Sequence, residues 1–90
     1  MKKLQFTRHA VTRMAQRRIT TKDVKAVLSD GVVIKEYPDD TPYPSKLLLG
    51  FRASRPLHVV FTELADMIIV ISAYEPDAES WESDYKRRKV

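Results

Sequence analysis

His9, Arg13 and Arg17 stand at i, i+4 and i+8, so on a helix they form one row. An imidazole that titrates near neutral pH, set beside two permanent cations, suits phosphate chemistry. The histidine can move a proton, and the guanidinium forks can hold the phosphate charge. The stretch from Arg8 to Arg18 places Ala10, Val11, Met14 and Ala15 on the opposite side, which predicts an amphipathic helix. A solvated, charged outer face accounts for the same row and is the commoner use of such residues.

Two further residues belong to the same inventory. His58 starts one predicted strand and Tyr74 ends the next, so in an antiparallel hairpin the two lie side by side. A two-residue Ala65-Asp66 turn sets them on opposite faces, whereas a one-residue slip aligns them. Imidazole, guanidinium and phenol together are what metal-independent RNA cleavage requires. A base takes the 2′-hydroxyl proton, a cation holds the phosphorane, and an acid protonates the leaving oxygen. The candidate catalytic set is therefore His9, Arg13, His58 and Tyr74, with Arg8, Arg17, Lys46 and Arg52 as candidate RNA-binding residues. The plainer accounts are a half-buried strand histidine for His58, a core-edge aromatic for Tyr74, and edge protection for Lys46, Arg52 and Arg55.

Other chemistries are poorly supplied. The chain has no cysteine, which removes thiol catalysis and thiolate metal sites. Its two histidines lie on different elements with no carboxylate at ligand spacing, so no metal site is expected. Asp39-Asp40 sits among prolines, as solvated turn formers do. The only glycines are Gly31 and Gly50, so there is no glycine-rich phosphate loop and no nucleotide cofactor is expected.

The elements that must carry these residues can be read from period and punctuation. Thr7 is a plausible N-cap for a first helix ending near Arg17 or Arg18. Thr20 and Asp23 predict a capping box for a second helix, with Ile19 and Val24 as a hydrophobic staple. Val24, Val27 and Leu28 form its buried face, and Gly31 is expected at the left-handed position that ends it. Strands are predicted at Val32–Tyr37, Lys46–Arg52, Leu57–Glu63 and Met67–Glu75, with the proline-rich 38–44 segment as a loop. Short connections make these a meander. Asp77 would then cap a short C-terminal helix whose Trp81 and Tyr85 pack down, and the basic end 86–89 reads as a frayed tail. The expected fold is α+β: two N-terminal helices on one face of a four-stranded antiparallel sheet, with a short C-terminal helix, in a single domain spanning 1–90.

The net charge of +4 is unevenly spread. Residues 1–22 carry Lys2, Lys3, Arg8, Arg13, Arg17, Arg18 and Lys22 and no acid, which leaves the remainder net negative. Such a field favours a polyanionic partner such as RNA or the ribosome, or an acidic protein. No apolar run is long enough to span a bilayer, and Met1-Lys2-Lys3 is not followed by a signal-peptide core, so a cytoplasmic location without membrane contact is expected. The oligomeric state is left open by the sequence.

The motif Phe6-Thr7-Arg8-His9-Ala10-x-x-Arg13-Met14-x-x-Arg17-x-Ile19-x-x-x-Asp23-Val24, with Val33-Ile34-x-x-Tyr37-Pro38, Leu57-His58-Val59-Val60 and Ile68–Tyr74, resembles the bacterial family called domain of unknown function 4258. That family looks like a distant relative of the RelE-type and BrnT-type toxins, compact α+β ribonucleases of toxin–antitoxin systems. The resemblance implies a RelE-like fold, signature roles for His9, Arg13 and Arg17, and an acidic antitoxin as partner. Glycine is common in the family where this chain has Arg18. Fold likeness alone does not fix an activity. Three readings follow from the residues: a metal-independent endoribonuclease of toxin type, a non-catalytic RNA- or protein-binding module, and a structural latch built from His9 and Arg13.

Overall fold

The computed structural model describes residues 2–89. Its elements are β1 (Lys3–Phe6), α1 (Arg8–Arg17), α2 (Thr21–Asp30), β2 (Val32–Tyr37), β3 (Ser45–Arg52), β4 (Arg55–Glu63) and β5 (Met67–Tyr74). The sheet has five strands in the order β1-β5-β4-β3-β2. β2 to β5 form the expected antiparallel meander, but β1 pairs parallel to β5, with Leu4 opposite Ile68 and Phe6 opposite Val70. The fold is therefore α+β with a mixed sheet, not a four-stranded antiparallel one. The source of the difference is local: Lys3-Leu4-Gln5-Phe6 alternates polar and apolar with period two, a strand pattern too short to stand out beside the helix that follows it.

Thr7 joins these two elements. Its amide donates to the Val70 carbonyl at 3.0 Å, and its hydroxyl accepts from the Ala10 amide at 3.0 Å, capping α1. The buried stripe of α1 is narrower than its sequence predicts. Ala10 and Met14 are buried, while Val11 is 54% exposed. α1 ends at Arg18, which takes the left-handed conformation with φ 56°, and Ile19 returns its amide to the Met14 carbonyl at 2.9 Å. α2 opens with the predicted capping box. The Asp23 amide donates to Thr20 Oγ1 at 3.1 Å, and the Thr20 amide donates to Asp23 Oδ2 at 2.9 Å.

Gly31 does not take the expected left-handed conformation; its φ is −74° and its ψ 170°. It is required for close approach instead. A Cβ there would lie 2.5 Å from the Val27 carbonyl oxygen and 2.9 Å from that of Leu49. Both helices cover one face of the sheet, where Ala10, Met14, Ile19, Val24 and Val27 meet Leu48, Leu57, Val59, Phe61, Val70 and Ala73 in the core.

On the other face the segment 77–89 meets His58 through Trp81 and the Tyr85 carbonyl, and among the described residues the expected C-terminal helix is absent. Asp77 does cap a turn, its Oδ1 accepting from the Ser80 amide at 2.7 Å. The turn does not propagate because the next backbone groups find partners across a loop. The Lys89 amide donates to the Ser80 carbonyl at 2.9 Å and the Glu82 amide to the Arg87 carbonyl at 2.8 Å. Trp81 bridges to Arg88, so the basic end is docked rather than frayed. No helix is long and apolar enough to cross a membrane among the described residues.

Candidate functional site

The site is built by two slips of register. In β4–β5 the Leu64 amide meets the Met67 carbonyl at 2.8 Å around Ala65-Asp66, and pairing runs back through Glu63 with Ile68 to Phe61 with Val70. The next pair is Val60 with Ser72, so Ile71 is an extra residue. This bulge brings His58 opposite Tyr74. In β2–β3 the pairing steps from Val33 with Leu48 to Lys35 with Leu47, leaving Ile34 without a partner. That second bulge puts Lys35 and Tyr37 on the face shared by Leu47, Val60 and His58, away from the helices.

His58 is fully buried there. Its Nε2 lies 2.7 Å from the Tyr85 carbonyl, which can only accept, so Nε2 carries the proton. Neutral Nδ1 is then bare and accepts from the Tyr74 hydroxyl at 3.3 Å. Trp81 packs edge-on with its ring centroid 4.4 Å away. Burial pushes the His58 pKa down, partly opposed by the Tyr85 carbonyl. Burial also pushes the Tyr74 pKa up, helped by Tyr37 and opposed by Arg88 and Arg17. Both shifts hold the pair neutral.

Tyr74 separates two depressions. On one side lies a groove of about 350 Å³, lined by Lys35, Tyr37, Tyr74, Trp81 and the basic run Lys86, Arg87 and Arg88. The Lys35 ammonium sits 5.5 Å from the centre of the Tyr37 ring, and the Arg88 guanidinium 5.4 Å from that of Trp81. On the other side is a hollow of about 330 Å³ lined by Arg17, Tyr74, Glu75 and Asp77. Its two acids are occupied: Glu75 by Arg52 and Arg55, each at 2.7 Å, and Asp77 by the turn it caps. The backbone donor from Ser80 holds the Asp77 carboxyl below its usual range. Arg17 is fixed by a 3.0 Å bond from Nη1 to the Ala73 carbonyl.

The other residues singled out by sequence do not converge on this place. Arg8, His9 and Arg13 are exposed on α1, across the sheet from His58, and Arg13 donates to Gln16 at 3.4 Å. Arg52 donates to the Arg18 carbonyl at 2.7 Å, to Asp23 at 3.1 Å and to Glu75 at 2.7 Å, tying the α1–α2 turn to the end of β5. Lys46 lines a separate depression with Glu36 and Glu63. Of the row on α1, only Arg17 reaches the neighbourhood of Tyr74. Sequence reasoning missed Lys35, Tyr37 and Trp81 as site residues, and it assigned Arg87 and Arg88 to a frayed, solubilising end rather than a binding arm. The available signals were the period-two spacing of Lys35 and Tyr37 and the basic run itself.

Among the described residues, no three histidine, aspartate or glutamate side chains are grouped to hold a metal ion. No curated protein and no solved structure matches the chain. The family described as Domain of unknown function (DUF4258) matches residues 6–75, and the chain belongs to it.

Proposed function

We propose that this small domain binds single-stranded RNA in the groove between β2 and the C-terminal segment, without cleaving it. The observation that carries the reading is the combination in one concave surface of Lys35, Arg87 and Arg88 with the half-buried rings of Tyr37 and Tyr74, over a floor formed by the buried Trp81. Cations that track a phosphate backbone, interleaved with aromatic faces that bases can stack on, are the footprint of single-strand binding. Arg17, beyond Tyr74, extends the path by one cation.

Cleavage of the RelE type asks for a proton carrier at the scissile hydroxyl. His58 is buried and held at both ring nitrogens, and its pKa is lowered. Tyr74, with its pKa raised, is a poor base. His9 lies on the far side of the sheet from both. Binding is therefore better supported than catalysis.

The test is titration of a fluorescent single-stranded oligoribonucleotide at several salt concentrations. Affinity should fall steeply with salt, and Arg88→Ala and Lys35→Ala should each lower the slope by about 0.7. Salt-independent binding, or unchanged slopes in both variants, would remove the groove from consideration. Cleavage of the oligonucleotide in EDTA, lost in Tyr74→Phe, would establish the endoribonuclease reading instead.

A further inference from the structure

Among the described residues, β1 forms one edge of the sheet, with β5 on one side and no strand on the other. The Lys3 amide donates to Asp66 and the Thr7 amide to Val70, both at 3.0 Å. Strand alternation therefore turns the peptide groups of Leu4 and Phe6 outward, a pair of donors and a pair of acceptors without a ladder partner. Beside this edge an open groove of about 730 Å³ runs between β1 and α2. Leu4, Phe6, Leu28 and Ile68 form its apolar floor, Lys2 and Lys25 stand on its rim, and no carboxylate lines it.

We propose that this edge and groove take an extended segment of an acidic partner protein, added to the sheet as a further strand beside β1. The bare peptide groups call for a strand rather than a helix, since only an extended chain matches their spacing. The apolar floor calls for an apolar side chain at every second residue of the incoming segment. Charge selects acids for the residues between. Those residues project to the face of the sheet away from the groove, where Lys3 stands exposed beside Gln5, and residues 1–22 contain no acid to answer an incoming cation. A second copy of this chain offering its own β1 would bring Lys2 and Lys3 against the same cations, which disfavours self-pairing. The site lies at the sheet edge opposite β2 and is independent of the RNA groove.

The probe is an acetylated Glu-Val-Glu-Val-Glu-Val-Glu peptide, titrated into the isotopically labelled full chain and followed by amide resonances and hydrogen exchange. The Leu4 and Phe6 amides should shift and become protected. Lys3→Glu should weaken binding about threefold, as an exposed charge does. N-methylation of the internal amides, which removes the ladder donors for either strand direction and keeps every charge, should weaken it about tenfold. The proposal is overturned by equal binding of the Lys-for-Glu peptide, by indifference to N-methylation, or by shifts that map elsewhere. Absence of binding at millimolar peptide also overturns it. Sedimentation showing a dimer of the free chain with Leu4 and Phe6 already protected would assign the edge to a second copy and likewise overturn it.

Discussion

His58 and Tyr74 face each other across β4 and β5 because Ile71 is one residue too many for its strand. Continued without the bulge, the register of the Ala65-Asp66 hairpin would set Ala73 opposite His58 and turn Tyr74 to the helix side. The carbonyl of the extra residue is held by the Thr7 hydroxyl at 3.3 Å, so the slip is anchored at the junction of β1 and α1.

Replacing His58 by leucine leaves the Tyr85 carbonyl and the Tyr74 hydroxyl without their partner inside the protein. The expected loss of stability is about 2 kcal/mol, measured by urea denaturation. Exchange of the Glu82 and Lys89 amides should quicken as the C-terminal segment loosens. A variant as stable as the parent, with unchanged exchange, would show that His58 does not pin that segment.

The same residue sets a pH dependence. Its folded pKa is depressed below the ordinary value of about 6.5, so the unfolded chain binds the proton more readily. Stability from neutral His58 is complete above that value and is lost as pH falls from it through the folded pKa. Thermal melts between pH 7.5 and 5, a range of roughly the histidine window, should therefore show a decline that is smaller in His58→Leu. Parallel declines in both proteins would assign the effect to other groups.

Arg18 carries a side chain in the left-handed region, where a Cβ costs about 1 kcal/mol. Arg18→Gly removes that strain and leaves the carbonyl that Arg52 binds in place, so it should raise stability by up to about 1 kcal/mol. A lower melting temperature would mean that the arginine side chain contributes more than its backbone costs.

Arg52→Ala separates structure from binding. Its loss frees Asp23, Glu75 and the Arg18 carbonyl at a partly buried junction and should cost about 2 kcal/mol in denaturation. RNA affinity, measured on the folded variant, should stay the same. A matching fall in affinity and salt slope would return Arg52 to the binding surface.

Tyr37→Ala should lower RNA affinity by about 1 kcal/mol through lost stacking while leaving the salt slope unchanged. If the slope falls with the affinity, the ring serves only to hold Lys35 in place.

Legibility in the sequence followed the range of the interactions. The Thr20–Asp23 box, the Thr7 cap and the meander of β2 to β5 depend on neighbours a few residues apart, and the residues announce them. β1 depends on a partner at the other end of the chain, and its four residues carry little pattern of their own. The position of Gly31 after α2 suggests a need for conformational freedom, whereas its neighbours Val27 and Leu49 make it a matter of space. The groove escaped because both of its walls rest on bulges, at Ile34 and Ile71, whose isoleucines look like any strand residue. Arg88 escaped because a basic tail gives no sign that its backbone will pair with Trp81.

The pairing of Lys3 with Met67 also orders events in time. During synthesis β1 emerges before its partner strand β5 exists, and it waits until residues 67–70 have followed. The first helix waits with it, since the surface under Ala10 and Met14 includes Val70 and Ala73. A nascent chain stopped before Tyr74 thus lacks the seat for β1 and α1, and this basic segment remains unanchored until β5 arrives.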